Sequence, residues 1–235
     1  MRIIGFKVLS FGCFGTLIDR DSGIWSALKP LLASGRIGLP RQEVLAAFDR
    51  HEAALEASRP ELPYAQILAR AHRALAQEWA VLCSDDEHTQ FGHSVPKWPA
   101  FADAPAALQY FSRYFKIAAF VSGDRHSLAD STRRLEARFD LVCTAEETGS
   151  YMPDQRSIRH MIGKLARLGY DAEEILHIGA SPRRDLAAAA ASGLATAWID
   201  RRSAGGDADK VAPSEGARFP SIAHLVRAHQ EELRA

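Results

Sequence analysis

The sequence predicts an α/β fold, a Rossmann-like doubly wound parallel sheet with a helical cap inserted after the first strand. Three observations lead there. Short apolar runs alternate with amphipathic segments from Lys97 to the end of the chain. One long stretch after the first such run, from Ser22 to about Ala80, carries helical spacing and no strand-like run. The 235 residues suit a single core domain with one insertion.

Taken in order, residues 6–11 form an apolar-rich run that breaks into Gly12-Cys13-Phe14-Gly15-Thr16, as a buried strand ending in a tight loop does. A helix is expected from Arg41 after Pro40. Pro60 and Pro63 break it before a second long helix. Residues 21–94 are therefore assigned to the cap, and 1–20 with 95–235 to the core. In the core, helix is expected over 105–115, strand over 117–121, helix over 127–137 and a short strand over 141–143. A helix over 154–168 stops at Gly169, and strand follows over 175–178. Ser181 reads as a helix N-cap with Pro182 at the first helical position, and Gly193 closes that helix. The last strand is expected over 195–199, a polar loop over 201–218 and a terminal helix over 221–233.

The composition excludes several functions. Lys+Arg and Asp+Glu are both 29, so the chain lacks the basic excess of a nucleic-acid binder. No apolar run approaches the roughly 20 residues of a membrane span, and Lys7 interrupts the N-terminal segment, so neither a membrane partner nor a signal peptide is expected. The three cysteines, Cys13, Cys83 and Cys143, have neither metal-type nor disulfide-type spacing and suit a reducing, cytoplasmic setting.

Ligands of parallel sheets bind beyond the carboxyl ends of the strands. That rule nominates four loops, 12–17, 122–126, 149–154 and 179–185. They read Phe11-Gly12-Cys13-Phe14-Gly15-Thr16-Leu17-Ile18-Asp19, Val121-Ser122-Gly123-Asp124-Arg125, Gly149-Ser150-Tyr151-Met152-Pro153-Asp154, and His177-Ile178-Gly179-Ala180-Ser181 followed by Asp185. In this order and spacing they resemble the four motifs of the haloacid dehalogenase superfamily, most closely its 2-haloacid dehalogenase-like branch. The likeness extends to Phe91–Pro99 and to Trp198-Ile199-Asp200-Arg201, and so spans nearly the whole chain.

The resemblance implies a covalent mechanism that this sequence lacks the means to perform. The family's nucleophilic aspartate attacks the substrate and is later released by water; here its position is Gly12. The family's third-loop lysine, which orients that carboxylate, is Met152. Losing both leaves the site neutral, whereas losing only the aspartate would strand a buried ammonium at about 3–5 kcal/mol. The phosphatase acid two positions after the nucleophile is Phe14. Only Asp185 could serve a magnesium ion, which wants several oxygen ligands, so no metal and no cofactor is expected.

Ser122 and Asp185 are the retained candidates, with Asp185 read first as a carboxylate bracing the loops through Ser150 or a nearby N–H. Cys13, Phe14, Thr16, Ser122, Gly123, Arg125, Tyr151 and Ser181 are the expected contacts of a small carboxylate or other anion between cap and core. The alternative is a hydrolase or lyase acting on a small 2-substituted acid, with water in the space beside Gly12 and Asp19 or Asp185 as base. Cys13 as nucleophile and His177 as base are weaker than their packing roles. His88 and His93 lie near the cap–core junction, Asp154 reads as a helix cap, and Trp98 and Phe91 read as packing residues. The resemblance also implies a homodimer formed through the cap.

Overall fold

The computed structural model describes residues 1–124, 129, 133–201 and 216–235. Its centre is a six-stranded sheet, all parallel, in the order β3-β2-β1-β4-β5-β6. The strands are β1 (Val8–Gly12), β2 (Lys116–Val121), β3 (Leu141–Thr144), β4 (Ile175–Gly179), β5 (Ala195–Ile199) and β6 (Ala217–Phe219). The fold class expected from the sequence is the one observed.

Successive side chains leave a strand on opposite faces, and the two faces build two cores. Leu9, Phe11, Ile117, Ala119 and Ile178 join the larger one, which continues under the cap. Val8, Ala118, Phe120 and Ile175 join a smaller one with Ile158, Met161 and Leu165 of the helix Gln155–Ala166.

Before β2 the chain forms α1 (Arg20–Ser34), α2 (Arg41–Ser58), α3 (Tyr64–Glu78) and α4 (Asp85–Gly92). Asp19 caps α1 by accepting from Ser22 N at 3.0 Å, and Ser84 opens α4 in a reciprocal capping box with Glu87. The apolar stripe of α2 runs through Val44 and Phe48 at four-residue steps, and the same stripe continues into Glu52 and Glu56, both buried.

Three expectations need correction. The helix placed over 105–115 is α5 (Ala104–Phe111), and its last residues continue only as hydrogen-bonded turns. The helix after Ser181 begins as a π-helical turn, Pro182–Leu186, before Ala187–Ala190 turns as an ordinary helix. The polar loop drawn through Arg218 contains the start of β6. That edge strand shows no apolar alternation; pairing with β5 defines it, helped by Asp200 N donating to Phe219 O at 2.8 Å. Most of the loop, most of the helix over 127–137, and the site candidate Arg125 lie outside the described residues.

Candidate functional site

Beyond the carboxyl ends of the strands, under α1 and α2, lies a cavity of about 520 Å³. Its floor is built by the ends of β1 and β4. Gly12 ends β1 and Gly179 ends β4, and the carboxylate of Asp185 lies against both. A β-carbon on Gly12 would stand 2.8 Å from Asp185 Oδ2, 3.4 Å from Thr16 Oγ1 and 3.8 Å from Ile178 O; a β-carbon on Gly179 would stand 2.3 Å from the same Asp185 oxygen. Contacts below 3 Å are steric conflicts, so two glycines create the slot that this carboxylate fills. The Asp185 carboxylate therefore lies directly beside Gly12, where any side chain at that position would meet it.

The π-helical turn carries Asp185 there, consistent with the frequent use of such turns at functional sites. Asp185 Oδ1 accepts from Ser181 N at 3.1 Å and Leu186 N at 3.0 Å. The brace is thus the nearby N–H groups; Ser150 instead bonds Ser157 at 2.8 Å and Thr148 at 3.1 Å. Burial raises the Asp185 carboxyl to about 6, against the lowering effect of its backbone donors and the Arg184 charge. The proton is held more tightly in the folded chain than in the unfolded one. This group's contribution is therefore fully present below the ordinary carboxylate range near 4 and is lost as pH rises through about 6. Urea unfolding of Asp185→Asn at pH 4 and pH 7 should show a smaller stability loss with rising pH than wild type, by about 1–2 kcal/mol; equal losses would show that Asp185 titrates as it does in solvent.

The expected residues divide. Gly12, Cys13, Phe14, Ser122, Met152, Ser181, Asp185 and Asp19 line the cavity. Ser181 also caps its turn, its Oγ accepting from Arg184 N at 3.3 Å. Gly123 does not line it; the ring of Phe14 lies over it, 3.3 Å from where a β-carbon would be. Thr16 is fully buried behind the floor, and its Oγ1 has no hydrogen-bond partner. Tyr151 faces the other side of Met152, its hydroxyl donating to Leu62 O at 2.7 Å and so tying the third loop to the chain between α2 and α3. Asp154 caps the helix Gln155–Ala166.

The alternative chemistries lose support. Cys13 is buried and its thiol is pushed up to about 12, so it is no thiolate at neutral pH. His177 lies within the sheet with Nδ1 3.1 Å from Ser10 Oγ, its basicity lowered to about 4 by burial, and it does not line the cavity. His88 sits in the cap with its Nδ1 2.8 Å from that of His72, and His93 is exposed. Phe14 stacks on Tyr64 at 5.6 Å and meets Trp98 edge-on at 5.2 Å, an aromatic wall between cavity and cap. Phe91 packs inside the cap against Phe48.

Sequence reasoning missed the charged network over the cavity. Arg20 donates to Glu52 at 2.6 Å and Asp49 at 2.8 Å; Tyr64 donates to Glu52 at 2.9 Å; Arg184 donates to Glu56 at 2.5 Å and to Met152 O at 3.3 Å. Glu56 is driven up to about 8 by burial and by Glu52, against the pull of Arg184 and Arg20. The signal available in the sequence was the apolar stripe of α2 ending in two carboxylates four residues apart. Across the whole lining, Asp19, Asp21, Asp49, Glu52, Glu56 and Asp185 face only Arg20, Arg41, Arg184 and Arg201. Arg201 is held by Asp103 at 2.8 Å, with Arg20 and Arg184 held as above, which leaves Arg41, hydrogen-bonded to Ser22 at 3.0 Å, as the arginine without a carboxylate partner among the described residues.

No protein-family profile matches the chain, and no curated protein matches it in sequence. Solved structures do match in fold. The L-2-haloacid dehalogenase of Xanthobacter autotrophicus with chloropropionic acid covalently bound superposes with a TM-score of 0.77 at 14% identity, over 96% of this chain and 98% of that one. A defluorinating L-2-haloacid dehalogenase gives 0.78 at 20% identity, covering 98% and 96%. The HAD-type hydrolase YfnB of Bacillus subtilis, bound to magnesium, gives 0.77 at 16% identity, covering 98% and 100%. The described residues therefore share the fold of these haloacid dehalogenases and hydrolases. A magnesium ion does not fit the donors present here. Among the described residues, Asp185 Oδ2 is the carboxylate oxygen that lies against Gly12 and Gly179, its Oδ1 is committed to two N–H groups, and Gly12 supplies no side chain. No helix among the described residues is long and apolar enough to cross a membrane.

Proposed function

We propose that this chain is a haloacid dehalogenase superfamily protein that has left covalent catalysis and uses the cavity to bind a small polar molecule. The observation that carries this reading is the Asp185 carboxylate filling the space beside Gly12. A carboxyl group braced by two backbone donors and wedged between two strand ends has no freedom to approach a substrate carbon in line. It is well placed to accept a hydrogen bond. With more carboxylates than guanidinium groups in the lining, the end of the ligand that meets Asp185 is a donor: an amide, a hydroxyl or an ammonium group.

Two measurements test the reading. Halide release from L-2-chloropropionate and monofluoroacetate is expected to equal that of heat-denatured protein, and sustained turnover would overturn the loss of covalent catalysis. In NMR titrations, propionamide is expected to bind more tightly than propionate; the reverse order would overturn the donor assignment.

Arg41 supports a second reading, in which a 2-substituted acid rests its carboxylate there while Asp185 activates a water for direct hydrolysis. A carboxylate near 6 is suited to general-base work at neutral pH. Under that reading a single turnover in ¹⁸O-water labels the product at once and leaves the protein unlabelled.

A further inference from the structure

The cavity does not end at Met152. On the far side of the Arg184–Glu56 ion pair lies a second chamber of about 260 Å³, between the end of α2 and the third loop. Ala53, Glu56, Met152 and Arg184 belong to the walls of both chambers. The Arg184–Glu56 pair, tied through Arg184 to Met152 O, therefore stands in a wall common to both spaces.

The two sides differ in chemistry. The floor of the first chamber carries Asp185 and a network of charges. Away from the partition, the second is walled by Ala57, Pro60, Tyr151 and Pro153, with Asp154 and Arg156 at its rim. Those two charges satisfy each other, Arg156 Nε donating to Asp154 at 2.8 Å, so the interior beyond the partition offers apolar surface without a free charge. The pair that forms this wall consists of two side chains that can turn aside together. Burial and Glu52 drive the Glu56 carboxyl up, so the group can be neutral when its partner swings aside. Arg184 keeps 36% of its side chain exposed, which gives it somewhere to swing.

We infer that the ligand is amphipathic, with its donor group on Asp185 and an unbranched apolar chain passing the Arg184–Glu56 partition into the chamber beside Ala57 and Pro153. This rests on the reading of the first chamber as a site for a hydrogen-bond donor, and adds a ligand length and an apolar tail to it.

The experiment is a ladder of primary amides from acetamide to hexanamide, titrated into the intact protein and into Ala57→Phe by NMR. Ala57 is exposed to solvent, so phenylalanine there is compatible with the fold, and thermal unfolding of the variant checks this. In wild type, affinity should climb about threefold to fourfold for each methylene that passes the partition. In Ala57→Phe the short amides should bind as before and the ladder should flatten. Binding of short amides with a flat ladder in wild type, or a ladder equally steep in the variant, would overturn the apolar extension alone. Failure of every amide to bind would overturn the donor site and the extension together.

Discussion

Replacing Gly12 by aspartate is expected to destabilise the protein by about 1–3 kcal/mol, in the range of overpacking a tight site, and to restore no halide release. The new β-carbon would stand 2.8 Å from Asp185 Oδ2, and that carboxylate is held in place by two backbone donors. The new carboxyl group would also lie beside an existing one that already resists ionisation, and like charges at short range raise each other's affinity for protons. Met152, 4% exposed, offers no countercharge. Met152→Lys alone should also destabilise, because it takes an ammonium group out of water at a position that is 4% exposed. The double variant should be more stable than the sum of the two changes predicts, by about 0.5–3 kcal/mol, the usual range for directly interacting residues. Urea unfolding of all four proteins closes this cycle. Halide release is expected from the double variant only, since there alone does a carboxylate have both position and countercharge. Strict additivity would show that positions 12 and 152 do not meet across the floor.

The largest loss is expected at Arg20. Its side chain, 12% exposed, bonds Glu52 at 2.6 Å and Asp49 at 2.8 Å, and Glu52 is 1% exposed. Arg20→Met keeps most of the packing volume but strips Glu52 of its closest cation, leaving Tyr64 and an Arg184 nitrogen at 3.9 Å. Breaking a buried pair from one side costs about 3–5 kcal/mol. Adding Glu52→Leu to Arg20→Met should return much of that stability, because a fully apolar replacement removes the uncompensated charge. Denaturant midpoints of the single and double variants measure this. A loss below about 1 kcal/mol in the single variant would mean that Tyr64 and Arg184 suffice to hold Glu52 without Arg20.

These two predictions separate what is local from what is not. Strands β1 to β5 could be placed from short apolar runs, and the helix starts at Ser181 and Asp154 from residue types whose side chains bond N–H groups two or three positions away. β6 was invisible because an edge strand of three residues is defined by its neighbour's hydrogen bonds. Gly12 and Met152 could be recognised as departures from a pattern, and Asp185 as a carboxylate with nearby donors. The sequence offered no means of telling that Asp185 would stand in the space beside Gly12.

The amino-acid order alone determined the parallel α/β core, the helical insertion and the gathering of four loops at one edge, because periodicity and capping act within a few residues of the chain. Only the folded structure decided the chemistry of the cavity. The slot between Gly12 and Gly179 admits a carboxylate from a third position, and Arg184 reaches Glu56 across 128 residues of sequence. Such pairings depend on which side chains the close-packed interior forces together, and on how strongly a charge taken out of water must find its opposite.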